Sequence, residues 1–161
     1  MTVSRGIAAV LRSDFHAFVH KCFTTVSPSD EFADNWHIEA IVHRLDVIER
    51  GTERRLIINQ PPRSLKSIIV SVAWTAWLLG HDPTKRIICV SYSSELAGDL
   101  HRLFRIVVDS DWYRELFPKM RNNKDTGIEF VTSQGGFRYA TSVGGTLTGR
   151  GGDLIIIDDP H

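Results

Sequence analysis

The sequence has no excess of either charge, with 19 lysines and arginines against 19 aspartates and glutamates. That balance excludes a chain-wide basic field of the kind that advertises nucleic acid, while leaving room for a local basic surface. Cysteine is scarce. Cys22 and Cys89 stand far apart, which argues for reduced thiols in a cytoplasmic protein rather than a disulfide framework. Long apolar runs are missing too. No stretch approaches about 18 uninterrupted apolar residues, and the patch after Arg5 is soon broken by Arg12 and Asp14, so neither a membrane span nor a signal peptide is expected. There is no internal repeat and no low-complexity tract. One further absence is local. The stretch "LIINQPPRSLKSIIV", residues 56–70, has the layout of strand, phosphate loop and helix, yet Gln60 and Leu65 stand where the pattern G-x-x-x-x-G-K-S/T places glycine.

What is present fits one soluble globular domain: 161 residues, 42% hydrophobic and 24% charged. Apolar positions Ile7, Val10, Leu11, Phe15, Phe18 and Val19 recur at helical spacing and predict one helix over 3–24. A Ser-, Asp- and Pro-rich loop comes next, then a helix from about Asn35 to Arg50 that stops at Gly51. "RRLIINQ" reads as a buried strand and "LKSIIVSVAWTAWLLG" as a helix ending near Gly80. "RIICVSYS" reads as a second strand. "SELAGDLHRLFRIVVDS" predicts a helix capped by Ser93 or Ser94, and "DWYRELFP" a short one. "GIEFVTSQGGFRYAT" has the pattern of a hairpin turning near Gly135–Gly136, and a Gly-rich segment leads to a last strand, "DLIIIDD". Strands alternating with helices predict an α/β fold with a mainly parallel sheet.

Lys66 and Ser67 carry the first chemical signal. At a helix N-terminus the backbone N–H groups and the helix dipole favour phosphate. A lysine there neutralises the β and γ phosphates, and the adjacent hydroxyl ligates Mg²⁺. Pro61 and Pro62 stiffen the mouth of the turn but remove two N–H donors. Leu65 is the weak point, because glycine supplies positive φ and close backbone approach. On spacing alone, a phosphate loop and an ordinary strand–turn–helix fit equally well. The end of the chain tips that balance. In "LIIIDDP" two carboxylates close a buried strand, at the end of an α/β sheet where ligands bind. Asp158 there could hold Mg²⁺, and Asp159 could orient or deprotonate an attacking water. Alone, this is also the pattern of a buried strand entering an acidic turn. Together and in this order, the two motifs favour a nucleotide site.

From about Asn35 onward the chain resembles the large subunit of tailed-phage and prophage DNA-packaging terminases. The resemblance rests on "LIINQPPRSLKS" as Walker A, "SVAWTAWLLGHDPTKRIICVSYSSELA" after it, "DWYRELFP", and "GGTLTGRGGDLIIIDDPH" as Walker B. That family tolerates Pro-Pro-Arg loops without the glycines. The resemblance implies a P-loop NTPase of the additional-strand class, truncated after the Walker B strand, with 1–34 as a helical segment and loop, 35–161 as a partial ATPase domain and no nuclease domain. It implies ATP and Mg²⁺ as cofactors, held by the loop Pro62, Arg63, Ser64, Leu65, Lys66 and Ser67 together with Asp158, with Ser67 and Asp158 on the metal. Asp159 lies where many terminases carry the catalytic Glu, one methylene longer. Arg63 is a candidate γ-phosphate sensor. Arg150 is a candidate for charge stabilisation and equally a structural turn arginine; the planar guanidinium suits either phosphate role. Implied partners are double-stranded DNA, a portal, a small terminase subunit and copies of this chain in a ring, in the cytoplasm of a bacterial host.

Other features carry less. His16, His20 and Cys22 share a helical region but lack a fourth ligand at metal-site spacing. Trp36–His37 lie where related motors contact adenine, although a helix-packing Trp is the simpler reading. Trp74 and Trp77 read as core, and Ser91–Tyr92–Ser93 as lining of the ligand face. The implied topology places a further strand between the Walker A and Walker B strands, and its loss would leave both neighbours with unpaired backbone groups. Such groups cost about 1–3 kcal/mol each when buried. The expectation is therefore a chain that is marginal, dimerised or locally rearranged, in which an ATPase remnant without turnover is the alternative to a working motor segment.

Overall fold

The computed structural model describes residues 4–147 and 149–160. Val3, within the expected first helix, and Thr148, in the Gly-rich segment, lie outside the described residues. The fold is α/β: a five-stranded open sheet with helices packed on it, in strand order β2-β3-β4-β1-β5.

Two helices, not one, open the chain: α1 (Arg5–Ser13) and α2 (Phe15–Val26). Asp14 causes the break. Its backbone is extended, and its carboxylate accepts the Ala17 N–H, so it ends the first helix and caps the second. The α3 helix (Trp36–Glu49) starts at an Asn35 cap and ends at Arg50, with Gly51 in the left-handed region at φ 74°. After the loop, a π-helical turn (Ile68–Trp74) runs directly into α4 (Thr75–His81). Next come β1 (Arg86–Ser91), α5 (Ser94–Asp109) and α6 (Asp111–Leu116), with Ser93 capping α5 through the Leu96 N–H.

β2 (Asn122–Asp125), which has no apolar pattern, pairs antiparallel with β3 (Glu129–Thr132), and β3 with β4 (Phe137–Ser142). The β3–β4 turn uses Gly135 at φ 88°, and a Cβ on Gly136 would lie 2.3 Å from the Pro83 carbonyl oxygen. β4 and β5 (Leu154–Asp158) both run parallel to β1, one on each side. The sheet is therefore mixed, which corrects the expectation of a mainly parallel one. The tight β3–β4 connection forces antiparallel pairing on that half. A second correction concerns residues 54–60. They form no strand, because among the described residues none lies in a ladder with them, and β5 pairs only with β1.

One hydrophobic cluster holds the layers together. It joins Leu11, Phe18, Val19 and Cys22 to Ile38, Leu45, Trp77, Phe104, Tyr113, Phe117, Ile87 and Ile156, so residues on both sides of position 34 share a core. Phe18, fully buried, touches Trp77, Trp112 and Phe117 edge-on at ring distances of 5.3, 5.5 and 6.1 Å. Burying one such ring contributes about 1.5–3 kcal/mol. Alternation along β5 sends Ile156 and Asp158 toward the helices, and leaves Ile155 and Ile157 exposed on the other face.

Candidate functional site

The loop from Gln60 to Ser67 has two turns of backbone that glycine adopts most readily, but without glycine. Arg63 and Leu65 both adopt left-handed backbone, at φ 63° and 61°. For residues with a Cβ this conformation costs roughly 1–2 kcal/mol each, so neighbouring contacts must hold it. Leu65 packs partly against the core cluster, and the His37 Nε2–H donates to the Ser64 carbonyl at 3.3 Å. The loop encloses a pocket of about 300 Å³, lined by Gln60 through Ile68 and by Asp159. Inside the loop the Ser64 hydroxyl is buried with no hydrogen-bond partner among the described residues. Lys66 sits in the first turn of the next helix, the end at which the dipole favours anions rather than cations.

The acidic strand end meets that lysine. Register pairing sets Asp158 beside Ser91, so both close parallel strands at the same edge of the sheet. Lys66 Nζ donates to Asp159 Oδ1 at 2.7 Å and lies 3.7 Å from Asp158 Oδ1. The hydrogen bond to Asp159 raises the lysine pKa above its ordinary value, burial opposes the rise, and the Asp158 charge adds to it. Asp158 is buried while Asp159, at φ 44°, is exposed. A second, larger cleft of about 530 Å³ lies between residues 54–59 and β5, and Lys66, Asp158 and Asp159 line it as well.

Pro62, Arg63, Ser64, Leu65, Lys66, Ser67 and Asp159 therefore surround one pocket, with Asp158 beside Lys66. Arg150 is elsewhere. It pairs with Glu129 on β3 and lies over the Tyr139 ring at 4.2 Å. The hydrogen bonds from Lys124 and Arg150 hold the Glu129 carboxyl below its usual pKa, which fits the turn-arginine reading. Trp36 is 73% exposed, so it is not the core-packing tryptophan that is the simpler expectation. Trp74 and Trp77 are buried in the core, and Trp77 donates its indole N–H to Glu49. Tyr92, the residue after β1, is exposed. His16 pairs with Asp34, His20 meets Phe32 edge-on, and Cys22 is buried.

Two residues near the site escape the motif reading. Ser71, one turn beyond Ser67, donates its hydroxyl to Asp158 Oδ2 at 3.3 Å. Arg138, fully buried on β4, donates to the Ser71 carbonyl at 2.9 Å. The alternation of β4 carries a signal for Arg138, since it shares a face with buried Ala140.

The residues present fit a polyphosphate with a divalent cation: a left-handed loop at a helix start, an orphan hydroxyl, a lysine and two carboxylates at one sheet edge. Ser67 and Asp158 supply the hard oxygen donors that Mg²⁺ prefers. No protein-family model matches the chain, and no curated protein matches it at a significant level.

Proposed function

We propose that this chain binds a nucleoside triphosphate with Mg²⁺ and is the ATP-binding segment of a terminase-like DNA-packaging ATPase of the P-loop class. The observation that carries the nucleotide reading is the meeting of Lys66 with Asp158 and Asp159, at 3.7 and 2.7 Å, from the far end of the sequence. The two carboxylates hold the lysine. On binding, Lys66 would turn to the β and γ phosphates, and the first-turn N–H groups would face the same oxygens. Bound Mg²⁺ would supply neutralisation of the phosphate charge. Ser67 and Asp158 would hold it, and Asp159 would orient water for in-line attack. The packaging role rests on the sequence resemblance. Double-stranded DNA, a portal, a small terminase subunit and further copies of the chain are its proposed partners, in a bacterial host's cytoplasm.

A second reading, binding without turnover, is favoured by one feature. Among the described residues, 54–60 carry no strand pairing, so the loop lacks the sheet-held support that precise placement of γ-phosphate and water demands. Thermal melting with and without Mg²⁺-ATP tests the shared claim. At 100 times its dissociation constant, a ligand specific to the folded state adds about 2.7 kcal/mol. The expected result is an upward shift that Lys66→Ala abolishes, and a cooperative melt indifferent to ATP would overturn the nucleotide reading. A phosphate-release assay then separates turnover from binding alone.

A further inference from the structure

Behind the carboxylates lies a buried polar chain that the nucleotide reading does not require. Arg138 is fully buried, yet among the described residues no carboxylate lies within 4.0 Å of its guanidinium. Neutral groups take its donors instead. Nε reaches the Thr75 hydroxyl at 3.3 Å, one terminal nitrogen the His101 Nδ1 at 2.9 Å, and the other the Ser71 carbonyl at 2.9 Å. Its plane also lies 5.0 Å from the Phe104 ring centre. His101 Nε2 faces the Thr126 carbonyl at 3.2 Å. A carbonyl can only accept, so Nε2 carries the proton and Nδ1 offers its lone pair to Arg138.

These contacts converge on an unusual piece of backbone. Ser71 lies within the π-helical turn Ile68–Trp74, a geometry wider than an α-helix and rarely sustained without support. The Ser71 carbonyl receives both the Arg138 guanidinium and the Thr75 hydroxyl, the latter at 3.0 Å. Removing one residue from a helical turn rotates the segment before it by about 100° relative to the segment after it. The π turn therefore decides which way Ser71, Ser67 and Lys66 face. With the turn in place, Ser71 Oγ donates to Asp158 Oδ2, and Asp158 Oδ1 is left on the Lys66 side.

We propose that Arg138 and Ser71 are positioning residues for Asp158: the guanidinium holds the π-helical turn, and the Ser71 hydroxyl pins one carboxylate oxygen so that the other faces the loop. This rests on the nucleotide reading. Neither Arg138 nor Ser71 lines the loop pocket or the larger cleft beside it. They act through the orientation of Asp158, as hydrogen-bond partners behind a metal ligand do, and loss of such a partner typically lowers metal affinity about 10–100-fold.

The test uses the full chain with ADP and Mn²⁺ as the probe. Electron paramagnetic resonance reads bound Mn²⁺, and calorimetry in EDTA reads metal-free ADP. Ser71→Ala is expected to weaken Mn²⁺ in the ADP complex about tenfold, leaving metal-free ADP affinity unchanged. Ser71→Thr, which keeps the hydroxyl, is expected to retain it. Arg138→Met should reproduce the Ser71→Ala split, and if that variant does not melt cooperatively, Ser71→Ala decides alone. Equal Mn²⁺ affinity in Ser71→Ala and the unaltered chain would overturn the positioning role and leave the nucleotide site standing. No Mn²⁺-ADP binding by the unaltered chain would remove both.

Discussion

Lys66 Nζ and Asp159 Oδ1 are 2.7 Å apart although 93 positions separate the two residues in sequence. The contact joins the first turn of a helix to the residue that follows an edge strand. It brings together two motifs that are each ambiguous in the sequence.

Lys66→Ala should lower the ligand-free melting temperature. The pair with Asp159, 59% exposed, is worth only about 0–1 kcal/mol, but the variant also leaves buried Asp158 without the cation 3.7 Å away. The ATP-dependent shift should vanish in the same variant. Melting curves of both proteins, each with and without nucleotide, check the two halves together.

Stability should fall on acidification because of His101. Burial and the adjacent Arg138 push its pKa down to about 3, against an ordinary 6.5; the Thr126 carbonyl opposes this, and Arg105 adds to it. Between those values the unfolded chain binds a proton that the folded chain refuses, so stability declines as pH drops below 6.5 toward 3. The slope from this one group approaches about 1.4 kcal/mol per pH unit. Urea unfolding at several pH values should show a slope shallower by about one proton in His101→Gln.

Glycine content is tuned differently at two positions. Gly98, inside α5, has no atom within 4 Å of an added Cβ, so Gly98→Ala should stabilise by about 0.5–1 kcal/mol. At Gly136 the added Cβ would meet backbone of Pro83, Lys85 and Thr84 at 2.3–2.7 Å. Gly136→Ala should therefore destabilise by about 1–3 kcal/mol, as read by the urea midpoint.

Arg63→Gly should relieve left-handed strain at φ 63°. The gain is limited to about 1 kcal/mol, because glycine also gives the unfolded chain more freedom. Arg63→Val should destabilise instead, since a β-branched residue fits that conformation worst. Denaturant titration of the pair gives the sign directly.

The free edge of β5 should promote self-association. Among the described residues β5 pairs only with β1, and Ile155 and Ile157 beside its other edge are 59% and 61% exposed; unpaired apolar edges template strand addition. Sedimentation across a concentration series should show association that Ile155→Lys reduces.

Local physics is legible in the residues: the start of α3 near Asn35, a serine cap for α5 at 93 or 94, the Gly51 stop, the Gly135–Gly136 turn, β1 and β5, and the α/β class. The loop and the acidic strand end are legible as motifs, and the structure places them in contact. Asp14 is hidden as a cap because the apolar period runs through it, and β2 is hidden because Asn122–Asp125 has no apolar pattern. Residues 54–60 mislead in the opposite direction. Their apolar run is a strand pattern, but a strand exists only with a partner ladder, and that is a tertiary fact.

By itself the sequence determined the start of α3, the Gly51 stop, the start of α5, the Gly135–Gly136 turn and the two chemical motifs, because these depend on neighbours within a few residues. Tertiary structure alone decided that Lys66 meets Asp158 and Asp159, that Leu65 holds a conformation suited to glycine, and that Arg138 reaches Ser71. Each depends on packing between segments tens of residues apart, where sheet order and burial, rather than local spacing, set the geometry.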